Sequence, residues 1–190
     1  MEDLSVPVFT SGHRVVRKQA ICIIPTSSVV IVMGVAGAGK TTVGTLLADS
    51  LQCPFIDSDD HQTPYAIKKL AAGQRLDDNE RNDWLLRIRC ALSDALKNKN
   101  AVVLAFPGLR KADREIVEIG NARTNLVYLK ASYTVLESRI RSREHRFFNP
   151  SLLESEYATL EEPTDALVLD ATERPDRLVA QIERRFYDLS

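Results

Sequence analysis

The chain has 190 residues, 44% of them hydrophobic and 27% charged, with eight glycines and eight prolines; this is the size and make-up of one globular domain and excludes a disordered, fibrous or low-complexity protein. Twenty-five lysines and arginines stand against 26 aspartates and glutamates, a formal charge of −1, so there is no bulk electrostatic case for nucleic acid or an anionic membrane as partner.

Residues 1–27 read as an extension of unknown role. They carry Glu2 and Asp3 and lack the Arg-rich, acid-poor pattern of a transit peptide, so the cytoplasm is the expected compartment. The uncharged run between Lys18 and Lys40 is interrupted by Pro25, by Thr26-Ser27-Ser28 and by glycines, which argues against a membrane span. Cys22, Cys53 and Cys90 lie far apart with no Cys-x-x-Cys and no histidine at metal-ligand spacing; they read as buried thiols in a reducing compartment.

From residue 28 onward the sequence reads as one α/β domain reaching residue 190. Short runs rich in Val, Leu and Ile predict strands over Val29–Met33, Pro54–Asp57, Ala101–Phe106, Leu126–Lys130 and Ala166–Asp170. Amphipathic stretches between them predict helices, hence a five-stranded parallel sheet. The longest helix is expected over Glu80–Asn98, with Asp78 or Asn79 as N-cap and Trp84, Ile88, Ala91, Leu92 and Ala95 as its buried stripe.

Directly after the first strand, Gly34-Val35-Ala36-Gly37-Ala38-Gly39-Lys40-Thr41 fits G-x-x-x-x-G-K-[ST] and opens a helix through Thr42 to Ser50. Gly34, Gly37, Ala38 and Gly39 let backbone N–H groups turn inward around phosphate oxygens, and the helix amino terminus adds positive charge. Lys40 is then placed for the β- and γ-phosphates, with Thr41 and Thr42 at the helix start and the Thr41 hydroxyl as a ligand for Mg²⁺. ATP and Mg²⁺ are the cofactors this pattern calls for. The third predicted strand ends without an Asp, so another carboxylate must complete the magnesium shell. Asp57-Ser58-Asp59-Asp60, at the carboxyl end of the second strand, supplies candidates on the side where open α/β sheets bind ligands. Arg139 and Arg143 are spaced to share one helix face.

Together with Lys69, Gly73, Leu76, Asp78, Arg81-x-x-Trp84-Leu85, Lys111, Arg114, Phe147, Ser151-Leu152-Leu153 and Thr159-Leu160-Glu161-Glu162-Pro163, these motifs make the chain resemble the gluconokinases, and more distantly the shikimate kinases. The resemblance implies a three-layer α/β/α P-loop kinase with a helical lid over about 139–160. It also implies ATP-dependent phosphorylation of a hydroxyl on a small polyhydroxy acid or polyol, D-gluconate to 6-phosphogluconate above all, and a homodimer. Asp57 would help hold Mg²⁺, Asp59 would contact the acceptor hydroxyl as its base, and Arg139 and Arg143 would belong to the lid. Lys69, Arg81, Arg110 and Lys111 would line the acceptor side, where a substrate carboxylate needs fixed positive charge. For the surface cations the competing expectation is a helix ion pair, for example Arg114 with Glu118. The turn near Asp170 to Pro175 is the expected adenine site.

The departures from the family pattern fall on the acceptor side. His-Pro is Gln62-Thr63, an Asn is Ala66, Cys-Ser-Ala-Leu-Lys is Phe106-Pro107-Gly108-Leu109-Arg110, a lid His is Arg146, and a Gln after the paired leucines is Glu156. Such changes leave two alternatives open: a kinase with a rebuilt acceptor pocket, and a nucleotide-binding regulatory protein without transfer activity.

Overall fold

The computed structural model describes residues 27–99, 101–142 and 150–186. Among them are five strands, β1 (Ser28–Met33), β2 (Phe55–Asp57), β3 (Ala101–Ala105), β4 (Arg123–Lys130) and β5 (Leu167–Asp170). They form one sheet in the order β2-β3-β1-β4-β5, and every neighbouring pair is parallel. The helices are α1 (Lys40–Leu51), α2 (Pro64–Ala71), α3 (Asp78–Asn98), α4 (Lys111–Val117), α5 (Tyr133–Arg141), α6 (Pro150–Thr159) and α7 (Pro175–Phe186), with a short 3₁₀ helix at Ser58–His61. The expected extension, apart from Ser27, lies outside the described residues, as do Cys22, Arg143 and Arg146.

The side-chain alternation of a strand divides the core in two. In β1, Val30 and Val32 face a cluster with Val43 and Leu47 of α1 and Leu178 and Ile182 of α7. Val29, Ile31 and Met33 face the other side, where Trp84, Leu85, Ile88 and Leu92 of α3 pack with Val117 of α4. A strand covered on both faces has no polar face to show, which is why β1 and β3 read as continuous apolar runs.

Three local expectations are corrected. β4 begins at Arg123 and not at Leu126, because Ser28 pairs with Arg123 and the Arg123 N–H donates to the Ser27 carbonyl at 2.8 Å; the polar Arg-Thr-Asn start hides the strand from hydropathy. The α3 N-cap is Asp77, closed by a reciprocal capping box with Glu80, and its buried stripe includes Leu85 while Ala91 and Ala95 are only partly covered. Cys90 is exposed and Cys53 half-buried; Cys90 falls between Ile88 and Leu92, on the solvent side of the α3 stripe. No described helix is long and apolar enough to cross a membrane.

The strand order reverses around β1: the chain leaves it toward β2 and β3 on one side and later reaches β4 and β5 on the other. Loops from both halves therefore meet beyond the carboxyl ends of β1 and β3, where a doubly wound sheet has its crevice.

Candidate active site

The loop after β1 is built for close approach. Gly34 sits at φ +144°, and a Cβ there would meet the Leu129 carbonyl oxygen at 2.8 Å; its N–H donates to the Pro107 carbonyl at 3.2 Å, tying the loop to the end of β3. Gly39 precedes α1 without a side-chain cap, and the first turn of α1 carries no acid, so its amino-terminal amides and dipole face outward toward any anion in the loop. Ala38 is buried beneath the loop while Thr42 is exposed in the first turn of α1. Lys40 Nζ donates to the Val35 carbonyl at 3.2 Å.

Thr41 Oγ1 donates to Asp57 Oδ2 at 2.8 Å, joining the start of α1 to the end of β2. Both are hard oxygen donors and they converge beside the phosphate loop. Such a pair suits Mg²⁺, which keeps several waters and takes further ligands from phosphate oxygens. Among the described residues no group of three or more His, Cys, Asp or Glu side chains forms a metal cage.

Asp59 lies two residues beyond, in the 3₁₀ helix, with its N–H bound to Asp57 Oδ1 at 3.1 Å. Two residues of α3 fix this turn from below: Trp84 Nε1 donates to the Ser58 carbonyl at 2.8 Å and Arg87 Nε to the His61 carbonyl at 2.9 Å. Trp84 thus does more than fill the core. Thr63, where the family shows Pro, accepts the Ala66 N–H at 3.0 Å and caps α2.

A cleft of about 150 Å³ opens beside the loop, with Asp59 and Gln62 on one wall, Arg81, Phe106 and Arg110 on another, and Glu156 of α6 closing a third. Arg81 is held by Asp113 through a two-point pair, Nε to Oδ1 at 2.9 Å and Nη2 to Oδ2. The hydrogen bonds that Arg81 donates to Asp113 raise the Arg81 pKa still further and keep the guanidinium charged. The loop after β3 depends on Gly108, at φ +59°, whose carbonyl accepts from Arg114 at 2.6 Å. A strap formed by Glu161 binds the same loop: its N–H donates to the Leu109 carbonyl at 2.8 Å and its carboxylate accepts the Lys111 N–H at 2.7 Å.

On the other side of the phosphate loop, Arg139 of α5 donates to the Gly37 carbonyl at 3.4 Å and to the Ala171 carbonyl at 2.7 Å. It therefore bridges the loop and the turn after β5, the place expected for adenine, where Asp170 accepts from both Thr172 N and Thr172 Oγ1. Glu156 reaches the loop from α6, its Oε2 accepting the Ala36 N–H at 2.8 Å. Burial pushes its carboxyl above the ordinary carboxylate range, and Asp59 adds to the rise, against the opposing pull of Lys40, the Ala36 hydrogen bond and Arg81.

Of the residues expected on the acceptor side, Asp59, Arg81 and Arg110 line the cleft, whereas Lys69 and Lys111 do not. Lys69 Nζ is engaged by Glu80 at 2.6 Å and Asp77 at 3.8 Å, locking α2 to the cap of α3. Lys111 Nζ pairs with Glu115 at 3.7 Å on the surface. Arg114 does not pair with Glu118 but is buried against the Gly108 and Glu161 carbonyls. Sequence reasoning missed Asp113 altogether; it is 32 positions from Arg81 and carries no local signature.

A phosphate loop after the first strand, an oxygen-donor pair beside it and an adjoining cleft with a carboxylate and arginines define a P-loop small-molecule kinase. The shikimate kinase family model matches residues 36–185. The thermoresistant gluconokinase of Escherichia coli K12 is 32% identical over 154 residues, covering 79% of this chain and 88% of that one. A gluconokinase from Sinorhizobium meliloti 1021 superposes with a TM-score of 0.69 at 30% identity, over 83% of this chain and 89% of the other. A sugar kinase from Janibacter sp. HTCC2649 superposes with a TM-score of 0.75 at 28% identity, over 83% and 93%. The chain belongs to the gluconokinases within the shikimate kinase family and is an ATP-dependent carbohydrate kinase.

Proposed function

We propose that this protein transfers the terminal phosphoryl group of ATP to a hydroxyl of D-gluconate, releasing ADP and 6-phosphogluconate. The observation that carries the reading is the cleft itself: Asp59 stands in it beside Arg81 and Arg110, within one short loop of Asp57 and the Thr41 hydroxyl. An acceptor with an alcohol at one end and a carboxylate at the other matches that polarity, with the alcohol toward Asp59 and the carboxylate toward the arginines.

In this reading the loop amides and Lys40 hold the phosphates, and Arg139 and Arg143 add positive charge around them. Bound Mg²⁺, held by Thr41 and Asp57, would neutralise charge on the phosphate oxygens. Asp59 orients the hydroxyl and takes its proton as the oxygen–phosphorus bond forms and the bond to ADP breaks. Positioning and electrostatics supply most of the acceleration, so the pocket that fixes the acceptor is as important as the base.

The experiment is ADP release with Mg-ATP and gluconate, beside related sugar acids, neutral polyols and shikimate, for wild type and Asp59→Ala. Gluconate turnover that falls by roughly a hundredfold or more in Asp59→Ala supports the reading. A response to another acceptor alone would assign the Gln62, Ala66 and Phe106–Gly108 changes to a rebuilt pocket. Nucleotide binding without turnover on any acceptor would favour a regulatory role.

A further inference from the structure

Glu156 is an acid where the gluconokinase pattern has Gln, and it occupies the boundary between the phosphate loop and the acceptor cleft. Its carboxylate accepts the Ala36 N–H from a helix 120 positions away. Charged groups bear on it from three other elements: Lys40 of α1 and Arg81 of α3 attract it, and Asp59 of the 3₁₀ helix repels it. Arg81 is itself shared with Asp113 of α4. The carboxylate therefore draws on a loop amide and on the lysine field that the phosphate reading assigns to the nucleotide. Two anions drawing on one set of donors repel each other, most strongly in a partly desolvated site.

We propose that Glu156 competes with the terminal phosphate of ATP for the phosphate loop, so that its negative charge sets how tightly the triphosphate binds. The proposal rests on the reading of the loop as the nucleotide site. It makes nucleotide affinity depend on one acceptor-side carboxyl and thereby links the two halves of the site. ADP, which lacks the terminal phosphate, meets this competition much less. Protonation removes the competing charge, and burial has already moved this carboxyl toward its neutral form. The affinity of wild type for ATP should therefore rise as pH falls through the titration of Glu156.

The test is calorimetric titration of Mg-ATP and Mg-ADP into wild type and Glu156→Gln between pH 5.5 and about 8. The amide keeps an oxygen for the Ala36 N–H, loses the charge and carries a donor NH2 group in place of the second oxygen, and thermal melting checks that the fold is kept. At the alkaline end the variant should bind ATP roughly tenfold more tightly than wild type and gain much less for ADP. The ratio of the two ATP affinities should shrink as pH falls into the titration of Glu156; titration of the phosphate itself is common to both proteins and cancels. Equal ATP affinities across the range, equal gains for ATP and ADP, or weaker ATP binding by the variant would each overturn the proposal. If neither protein binds either nucleotide, the nucleotide reading of the loop fails and takes this proposal with it, an outcome distinct from two proteins that bind ATP alike.

Discussion

The Thr41 hydroxyl donates to the Asp57 carboxylate at 2.8 Å, so the last residue of β2 and the first turn of α1 share one hydrogen bond. With no Asp at the end of β3, this pair is the oxygen-donor set beside the phosphate loop. Asp57→Asn keeps one oxygen to accept the Asp59 N–H, turns the other toward Thr41 into a donor NH2 group, and loses the charge that attracts Mg²⁺. We expect turnover with saturating substrates to fall roughly a hundredfold and the Mg²⁺ needed for half-maximal rate to rise. Initial rates over a magnesium series measure both; a variant with wild-type rates at every concentration would remove Asp57 from the metal site.

Asp113 is nearly buried, with a side chain 5% exposed, and its two-point pair sets the direction of the Arg81 guanidinium. In Asp113→Asn the guanidinium stays in place without its counter-charge, which should lower stability by about 2 to 3 kcal/mol. If Arg81 receives the acceptor carboxylate, the same variant raises KM for gluconate about tenfold and leaves KM for ATP within about twofold. A stability loss with both Michaelis constants unchanged would confine the pair to a structural role.

The Oε1 of Gln62, in the cleft wall beside Asp59, is buried and meets no hydrogen-bond partner among the described residues. An unmet acceptor of this kind costs folding energy and is satisfied when a hydroxyl donates to it. Gln62→Leu should therefore leave stability unchanged or slightly higher while raising KM for gluconate about tenfold. Chemical denaturation paired with steady-state kinetics separates the two effects. A drop in stability with unaltered kinetics would mean that Gln62 serves the fold and not the acceptor.

What could be read from the sequence follows from how local its cause is. The phosphate loop is contiguous, and the apolar runs of β1 and β3 follow from burial on both faces, so loop, strands and sheet type were all legible. The edges of β4 and α3 were not, because polar residues there are spent on pairing with Ser27 and Ser28 and on the Asp77–Glu80 capping box. Among the site residues, Asp57 and Asp59 stood out because a strand end fixes their side of the sheet. The pairing of Lys69 could not be read because it is decided by the packing of α2 on the start of α3, where Glu80 and Asp77 engage it. The contacts Arg81 to Asp113 and Ala36 to Glu156 span 32 and 120 positions, and no helical or strand period connects residues so far apart.

Tyr128 on β4 gives a pH signature independent of catalysis. Its hydroxyl faces Glu162 at 3.4 Å, and burial, followed by the Glu162 charge, pushes its pKa from 10.0 up to about 12. In the unfolded chain the phenol ionises near 10, so between 10 and about 12 the unfolded state has released a proton that the folded state keeps. Stability associated with the neutral phenol is fully present below 10 and is lost as pH climbs to about 12. Tyr128→Phe has no proton to release in either state. Its urea midpoint should thus fall less steeply than that of wild type between about pH 9.5 and 11.5, after a small loss at neutral pH from the weak hydrogen bond. Midpoints measured at intervals across that range decide it: parallel decline of the two proteins would show that the phenol ionises as readily in the fold as outside it.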